Sequence, residues 1–255
     1  MSIEFLTPAI MIDRLARSNR HEDLAKVIAK EQCAQEDFNF GFQAACENGA
    51  VEAAQLLLPL AGIISVSRGM RKAAAAQNLA CVELACGRLA AENAFDDFDI
   101  AIALRDIDFS SRAGQACAAE IRKFASQECW GWALRDKIKS KRWADAERLL
   151  EAGAPLEISG SWHMEDEPTT AMEMWRTQSE ARLASEARRQ AARAAAGGQA
   201  DKKIGSALTM SRTDSMALAD ELKRTSLERA IKRVLAGHPL PAAEQQTPAP
   251  TRKRL

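Results

Sequence analysis

Residues 44–62 read "AACENGAVEAAQLLLPLAG". An alanine-rich run closes on a polar Asn48-Gly49 step, and a second run ends in Leu56-Leu57-Leu58. Alanine is the best helix former, and glycine takes the left-handed conformation just past a helix end without steric cost. The stretch predicts two short helices folded back on each other. A lone hairpin would direct the search to a pocket. One unit of a series would direct it to a surface shared by several units.

The same pattern recurs along the chain. With the register opened at Phe40, moving back 29 residues reaches Met11 and "MIDRLARSNRHEDLAKVIA", with a polar turn at residues 18–21. Moving forward 29 residues reaches Gly69, an alanine run and a turn at Gln77-Asn78. The next unit opens at Phe98 with a weaker, longer turn, another at Trp132, and a last one at Thr170. Leu149-Leu150 followed by Gly153-Ala154 repeats the way a second helix ends. Residues 171–196 read as one helix.

Ala45, Gly49, Glu52 and Leu56–Leu58 in one unit, Leu149-Leu150 with Gly153-Ala154 in another, and "TTAMEMW" at Thr169–Trp175 carry a resemblance to the ankyrin repeat. It covers roughly residues 8–185, and no unit has the whole T-P-L-H signature. The resemblance implies an ankyrin-like solenoid of stacked helix-turn-helix units over residues 1–196, a fold used mainly for binding proteins. It also implies that His21 braces the first turn. The residues alone leave an irregular helical bundle open.

Composition points to an all-α chain. Hydrophobic residues make up 47% of it, aromatic residues only 5%, and there is no tyrosine. Runs of the β-branched and aromatic residues that strands prefer are scarce. With 35 basic and 35 acidic residues the formal net charge is zero, so no global field draws in nucleic acid or an anionic membrane. The six cysteines form no C-x-x-C pair and sit mostly in alanine-rich runs, as small buried hydrophobes do in a reducing compartment. No stretch has the length of a membrane span. "MSIEFLTPAIMIDRL" lacks a basic leader and carries Glu4, so a cytoplasmic location, in this cell or in one it is delivered to, is expected.

No motif of catalysis or cofactor binding stands out. There is no glycine-rich phosphate loop and no G-x-S-x-G elbow. "FDDFDIAIALRDIDF" fails the calcium-loop template for want of Gly at position six and Glu at position twelve. Asp96 or Asp97 is better read as a helix cap. Trp162, His163, Glu165, Asp166 and Glu167 form an acidic loop in which a metal would lack ligands from separate elements. No cofactor and no metal are expected, and a non-catalytic protein–protein interaction module is the reading that remains.

The candidate partner-binding residues are the basic segment Arg135, Lys137, Lys139 and Arg142 with Trp143, at a turn taken to be exposed, and the Trp162–Glu167 loop. Nucleic-acid binding through residues 135–142 and 188–193 is the first alternative. Abundant alanine, and arginine exceeding lysine, fit a bacterial or phage genome, and hence an effector, immunity protein or inhibitor. Past a linker at residues 197–214, residues 215–237 predict an amphipathic helix capped by Asp214 or Ser215. Met216, Ala219, Leu222, Ala230, Ile231, Val234 and Leu235 form its stripe. That helix docks on the stack or pairs with a second copy, which gives the other alternative, a homo-oligomer. Residues 238–255 read as a disordered Pro-rich basic tail.

Overall fold

The computed structural model describes residues 7–158, 170–196 and 212–237, with side chains as far as Arg188 in the second span and, Leu218 apart, from Met216 in the third. Among these residues the chain forms twelve helices and no strand. In order they are α1 (Pro8–Arg17), α2 (His21–Lys30), α3 (Gln35–Asn48), α4 (Val51–Leu57), α5 (Ile63–Ala75), α6 (Leu79–Ala91), α7 (Asp97–Asp106), α8 (Arg112–Arg122), α9 (Gln127–Lys139), α10 (Trp143–Glu151), α11 (Ala171–Ala196) and α12 (Arg212–Leu235). The all-α expectation holds.

Four of the five turns within the helix pairs α1–α2, α3–α4, α5–α6, α7–α8 and α9–α10 are the same object, and the helix ends at Asn93 and Gly153 close in the same way. In each of the four, a residue in the left-handed region follows the first helix: Asn19, Gly49, Gln77 or Lys141. The next amide then reaches back five residues. Arg20 N–H donates to Leu15 O at 2.9 Å, Ala50 to Ala45 at 2.9 Å, Asn78 to Ala73 at 2.8 Å and Arg142 to Lys137 at 2.8 Å. This closure satisfies helix-end carbonyls that have no intrahelical donor. Gly153 takes the left-handed conformation as expected, and Gly49 takes it too. Aligned on these residues, Phe40 corresponds to Ile10 and Arg68, one residue earlier than a uniform 29-residue period would place its partners.

The odd-numbered helices pack in order, α1 on α3, α3 on α5, α5 on α7, α7 on α9 and α9 on α11. The even-numbered helices form a second row, α2 on α4, α4 on α6 and α6 on α8, and α10 packs on α12. Between the rows lies one apolar core holding Ile12, Leu24, Phe42, Leu57, Met70, Leu89, Leu104 and Ile121, each fully buried. Each such side chain contributes about 1.5–3 kcal/mol relative to exposure. Close approach in the odd row needs glycine. A Cβ on Gly41 would lie 2.5 Å from the Ile12 Cγ2, and one on Gly69 would lie 2.4 Å from the Phe42 ring.

The unit at Phe98 is a true helix pair, α7 with α8, yet its turn differs. Residues 107–111 include no left-handed residue. Asp96 caps α7 as expected, its Oδ1 accepting from Phe98 N–H at 3.0 Å. At the start of α11, Thr170 and Glu173 form a capping box: Thr170 Oγ1 accepts from Glu173 N–H at 3.0 Å, and Glu173 Oε2 from Thr170 N–H at 2.8 Å.

Helix α12 docks on α10, using Ala230 and Ile231 of the expected stripe but not Met216, Leu222, Val234 or Leu235. It begins at Arg212, so Asp214 and Ser215 lie inside it rather than at its cap. Arg224, Leu227, Ala230 and Ile231 are buried, whereas Met216 is 67% and Leu222 63% exposed. Trp143 of α10 and Trp175 of α11 meet edge to face at 5.7 Å, and the Arg224 guanidinium lies over the Trp175 ring. The expected Glu228–Lys232 pair is present at 2.9 Å. Gly237 adopts the left-handed conformation after the helix. Most of the 197–214 linker and all of the 238–255 tail lie outside the described residues.

Candidate functional site

The outer face of the odd row is built from positions that recur relative to the turn. Nine residues before the left-handed residue stand Ile10, Phe40, Arg68 and Trp132. Three, four and seven residues further on, the same helical face carries Asp13, Arg14 and Arg17 on α1, Gln43 and Glu47 on α3, and Arg71, Lys72 and Ala75 on α5. Ile10 is 43% and Phe40 63% exposed. Ile64 on α5 and Phe98 on α7 add exposed apolar groups near the N-terminal ends of their helices.

A cleft of about 220 Å³ opens on this face, lined by Gln43, Arg68, Arg71, Lys72, Ala75 and Asp106. Three helices form it, so the register places residues distant in sequence side by side. Arg71 pairs with Asp99 at 2.9 Å and Lys72 with Glu47 at 3.1 Å, while Arg105 beside the cleft pairs with Asp106 at 2.8 Å. Among the described residues, Arg68 and Arg14 have no ion-pair partner, and the Gln43 side chain has no hydrogen-bond partner although the residue is only 8% exposed.

The expected basic patch is a different structure. Arg135 is 2% exposed and Lys137 is fully buried, both within α9. Lys137 Nζ donates to Ile107 O at 2.6 Å and to Asp145 Oδ2 at 3.2 Å, and lies 5.4 Å from the centre of the Phe109 ring. Arg142 pairs with Asp145 at 2.6 Å and also donates to Ile107 O and Arg105 O. Asp145 Oδ1 accepts from Phe109 N–H at 3.0 Å. These three residues satisfy the backbone of the α7–α8 connection, the one within-pair connection that lacks the left-handed turn. Burial pushes the Lys137 ammonium down to about 8, against the attraction of Asp145.

Trp143 is buried in the α10–α12 contact, where its Nε1 donates to Asp220 at 3.4 Å. Lys139 is exposed, and so is Arg188 on α11. Trp162, His163, Glu165, Asp166 and Glu167 lie outside the described residues, as do the side chains of Arg189 and Arg193. His21 is exposed at the start of α2, and Asn19 rather than His21 braces the turn. Its side chain accepts from Ala53 N–H at 3.1 Å and donates to Glu52, capping α4 of the next unit. From the third unit, Asn78 donates back to Cys46 O and Glu47 O at the end of α3.

Burial pushes the Cys86 thiol up to about 12 and those of Cys117 and Cys129 up to about 11, far from the range of a reactive thiolate. All six cysteines are free. Among the described residues, no group of three or more His, Cys, Asp or Glu side chains is placed to hold a metal, and no helix is long and apolar enough to cross a membrane. Comparison with protein families, curated proteins and solved structures finds no match to this chain.

Proposed function

We propose that this chain is an ankyrin-like repeat stack that acts without catalysis, binding a protein partner across the outer face of its odd-numbered helices. The observation that carries the reading is the repeated surface position nine residues before the turn. It presents Ile10 and Phe40 on successive helices and the unpaired Arg68 on the next. A folded chain leaves large apolar groups in register along one face when something else covers them, and paired apolar and arginine groups are frequent anchors of protein contacts. The recurrent turns and the two ordered rows support the repeat reading.

The test is affinity capture from the source organism with the wild type and a Phe40→Asp, Arg68→Glu variant side by side. The expected result is a protein retained by the wild type and lost from the variant. Equal recovery by both overturns the reading.

The nucleic-acid alternative loses its main support, since Arg135 and Lys137 are buried and spend their charge inside the fold. The homo-oligomer alternative keeps one, the exposed Met216 and Leu222 on α12. Light scattering of the full chain against one cut after Gly198 tests it. An unchanged protomer number removes it.

A further inference from the structure

We propose that the odd-helix face takes an extended acidic peptide segment of its partner, one whose two carboxylates flank an apolar side chain. The inference rests on the interaction reading above and specifies the ligand. Arg68 on α5 and Arg14 on α1 are both exposed and have no ion-pair partner among the described residues, whereas the other cations on the face of these helices, Arg17, Arg71 and Lys72, each have one. Helix α3 lies between α1 and α5 and presents Phe40, 63% exposed, at the same register position as Arg68. Arg14 stands one turn, about 6 Å, further along α1 than that register position, so the two free guanidinium groups lie on either side of the exposed ring with this offset along the helices.

Gln43 supplies the second observation. It stands one turn after Phe40 on α3, lines the cleft beside Arg68, is only 8% exposed, and its amide has no hydrogen-bond partner among the described residues. Neither amide atom is among the buried unpaired ones, so the small exposed part of the residue is the amide itself, opening into the cleft. An amide donor and acceptor facing a groove complements the N–H and C=O of an extended peptide backbone.

The spacing sets the ligand. Adjacent packed helices lie roughly 8–10 Å apart, so groups on α1 and α5 stand roughly 16–20 Å apart. An extended strand covers this in about five or six residues at about 3.3 Å each. The matching segment carries Asp or Glu at both ends of such a span and Leu, Ile, Met or an aromatic residue near its middle. Guanidinium groups bind carboxylates through two parallel hydrogen bonds, which gives directional recognition at each end. A nucleic acid fits less well, because Asp13, Glu47, Asp99 and Asp106 interrupt any continuous track for phosphates on the same face.

A displayed library of random decapeptides, selected on the full-length protein, tests this. Arg14→Glu and Arg68→Glu remove no internal contact, so both variants keep the wild-type circular dichroism and melting curve. The expected result is enrichment of peptides with two acidic residues about five or six positions apart around an apolar one. Their affinity falls at least ten-fold in each variant and falls with added salt. Failure to enrich, enrichment of peptides without acidic residues, or equal binding by the variants overturns the proposal. So does a twenty-residue oligothymidine that binds the wild type and is lost from the variants, since that ligand is a nucleic acid. A captured protein that depends on Phe40 yet binds the double charge-reversed variant normally refutes the acidic peptide and leaves the interaction surface standing.

Discussion

Two glycines separate the demands of packing from those of the backbone. Gly69 sits in α5, where an added Cβ would meet the Phe42 ring at 2.4 Å and the Cys46 Sγ at 3.2 Å. Gly87 sits inside α6 with nothing within 4 Å of the same position. Alanine gains about 0.5–1 kcal/mol over glycine in a helix interior, while overpacking a filled core costs about 1–3 kcal/mol. Gly87→Ala is therefore expected to stabilise by about 0.5–1 kcal/mol in urea denaturation, and Gly69→Ala to destabilise by about 1–2 kcal/mol. Lys137 poses the corresponding question for charge. Its folded-state pKa is lowered from 10.5 to about 8 by burial, so between those values the unfolded chain holds more protons than the folded one. The contribution of this residue to stability then rises with pH across that window. Denaturation midpoints measured from pH 7.5 to pH 10 should climb in the wild type relative to Lys137→Met, and parallel profiles would remove Lys137 as the cause.

The left-handed turn recurs between helices, and its side chains bind one helix pair to the next. Asn19 contributes twice: it accepts the left-handed conformation, φ 54°, and its side chain caps α4, whose own Ala50 offers no side-chain acceptor. Asn19→Ala loses the cap, about 1 kcal/mol, and adds a left-handed alanine at about 1 kcal/mol or more. Asn19→Gly loses the cap alone and should fall by about half as much, a difference that equilibrium denaturation resolves. These turns were legible in the sequence because Asn-Gly and Gln-Asn steps between apolar runs have a local cause. The burial of Arg135 and Lys137 was not, because closely spaced basic residues look like a solvated segment; for Lys137 the partners are Asp145 on α10 and the Ile107 carbonyl of the preceding helix pair, both remote in the sequence pattern. The Phe40–Arg68 position was concealed by a register one residue out. Met216 and Leu222 misled for another reason. An apolar stripe says that a helix can be covered, and only the extent of the docked surface decides which half is.

Across the whole molecule, the odd row runs from α1 to α11, whereas the even row has no comparable contact between α8 and α10, which leaves one weak join. Hydrogen bonds between successive turns pass from Asn19 to α4, from Asn78 to α3 and from Ser111 to Gln77. At the α7–α8 connection the left-handed turn is missing, and the backbone there is held from the next unit by Lys137, Arg142 and Asp145. Where helices pack mainly on near neighbours in the chain, cooperativity is only as strong as the contact between adjacent helix pairs. Asp145 is the shared partner of both cations and of the Phe109 amide, so Asp145→Ala leaves a buried ammonium uncompensated, a loss of about 3–5 kcal/mol. The loss falls on the join and on the helices after it. Every one of the five tryptophans lies at residue 130 or beyond, so tryptophan fluorescence reports only that part, while circular dichroism reports all the helices. In the wild type the two urea transitions should coincide. In Asp145→Ala the fluorescence transition should move to lower urea and leave a later circular-dichroism phase from α1–α6. Coincident curves in the variant would mean that the apolar core alone couples the two ends, and that the polar join sets stability without setting cooperativity.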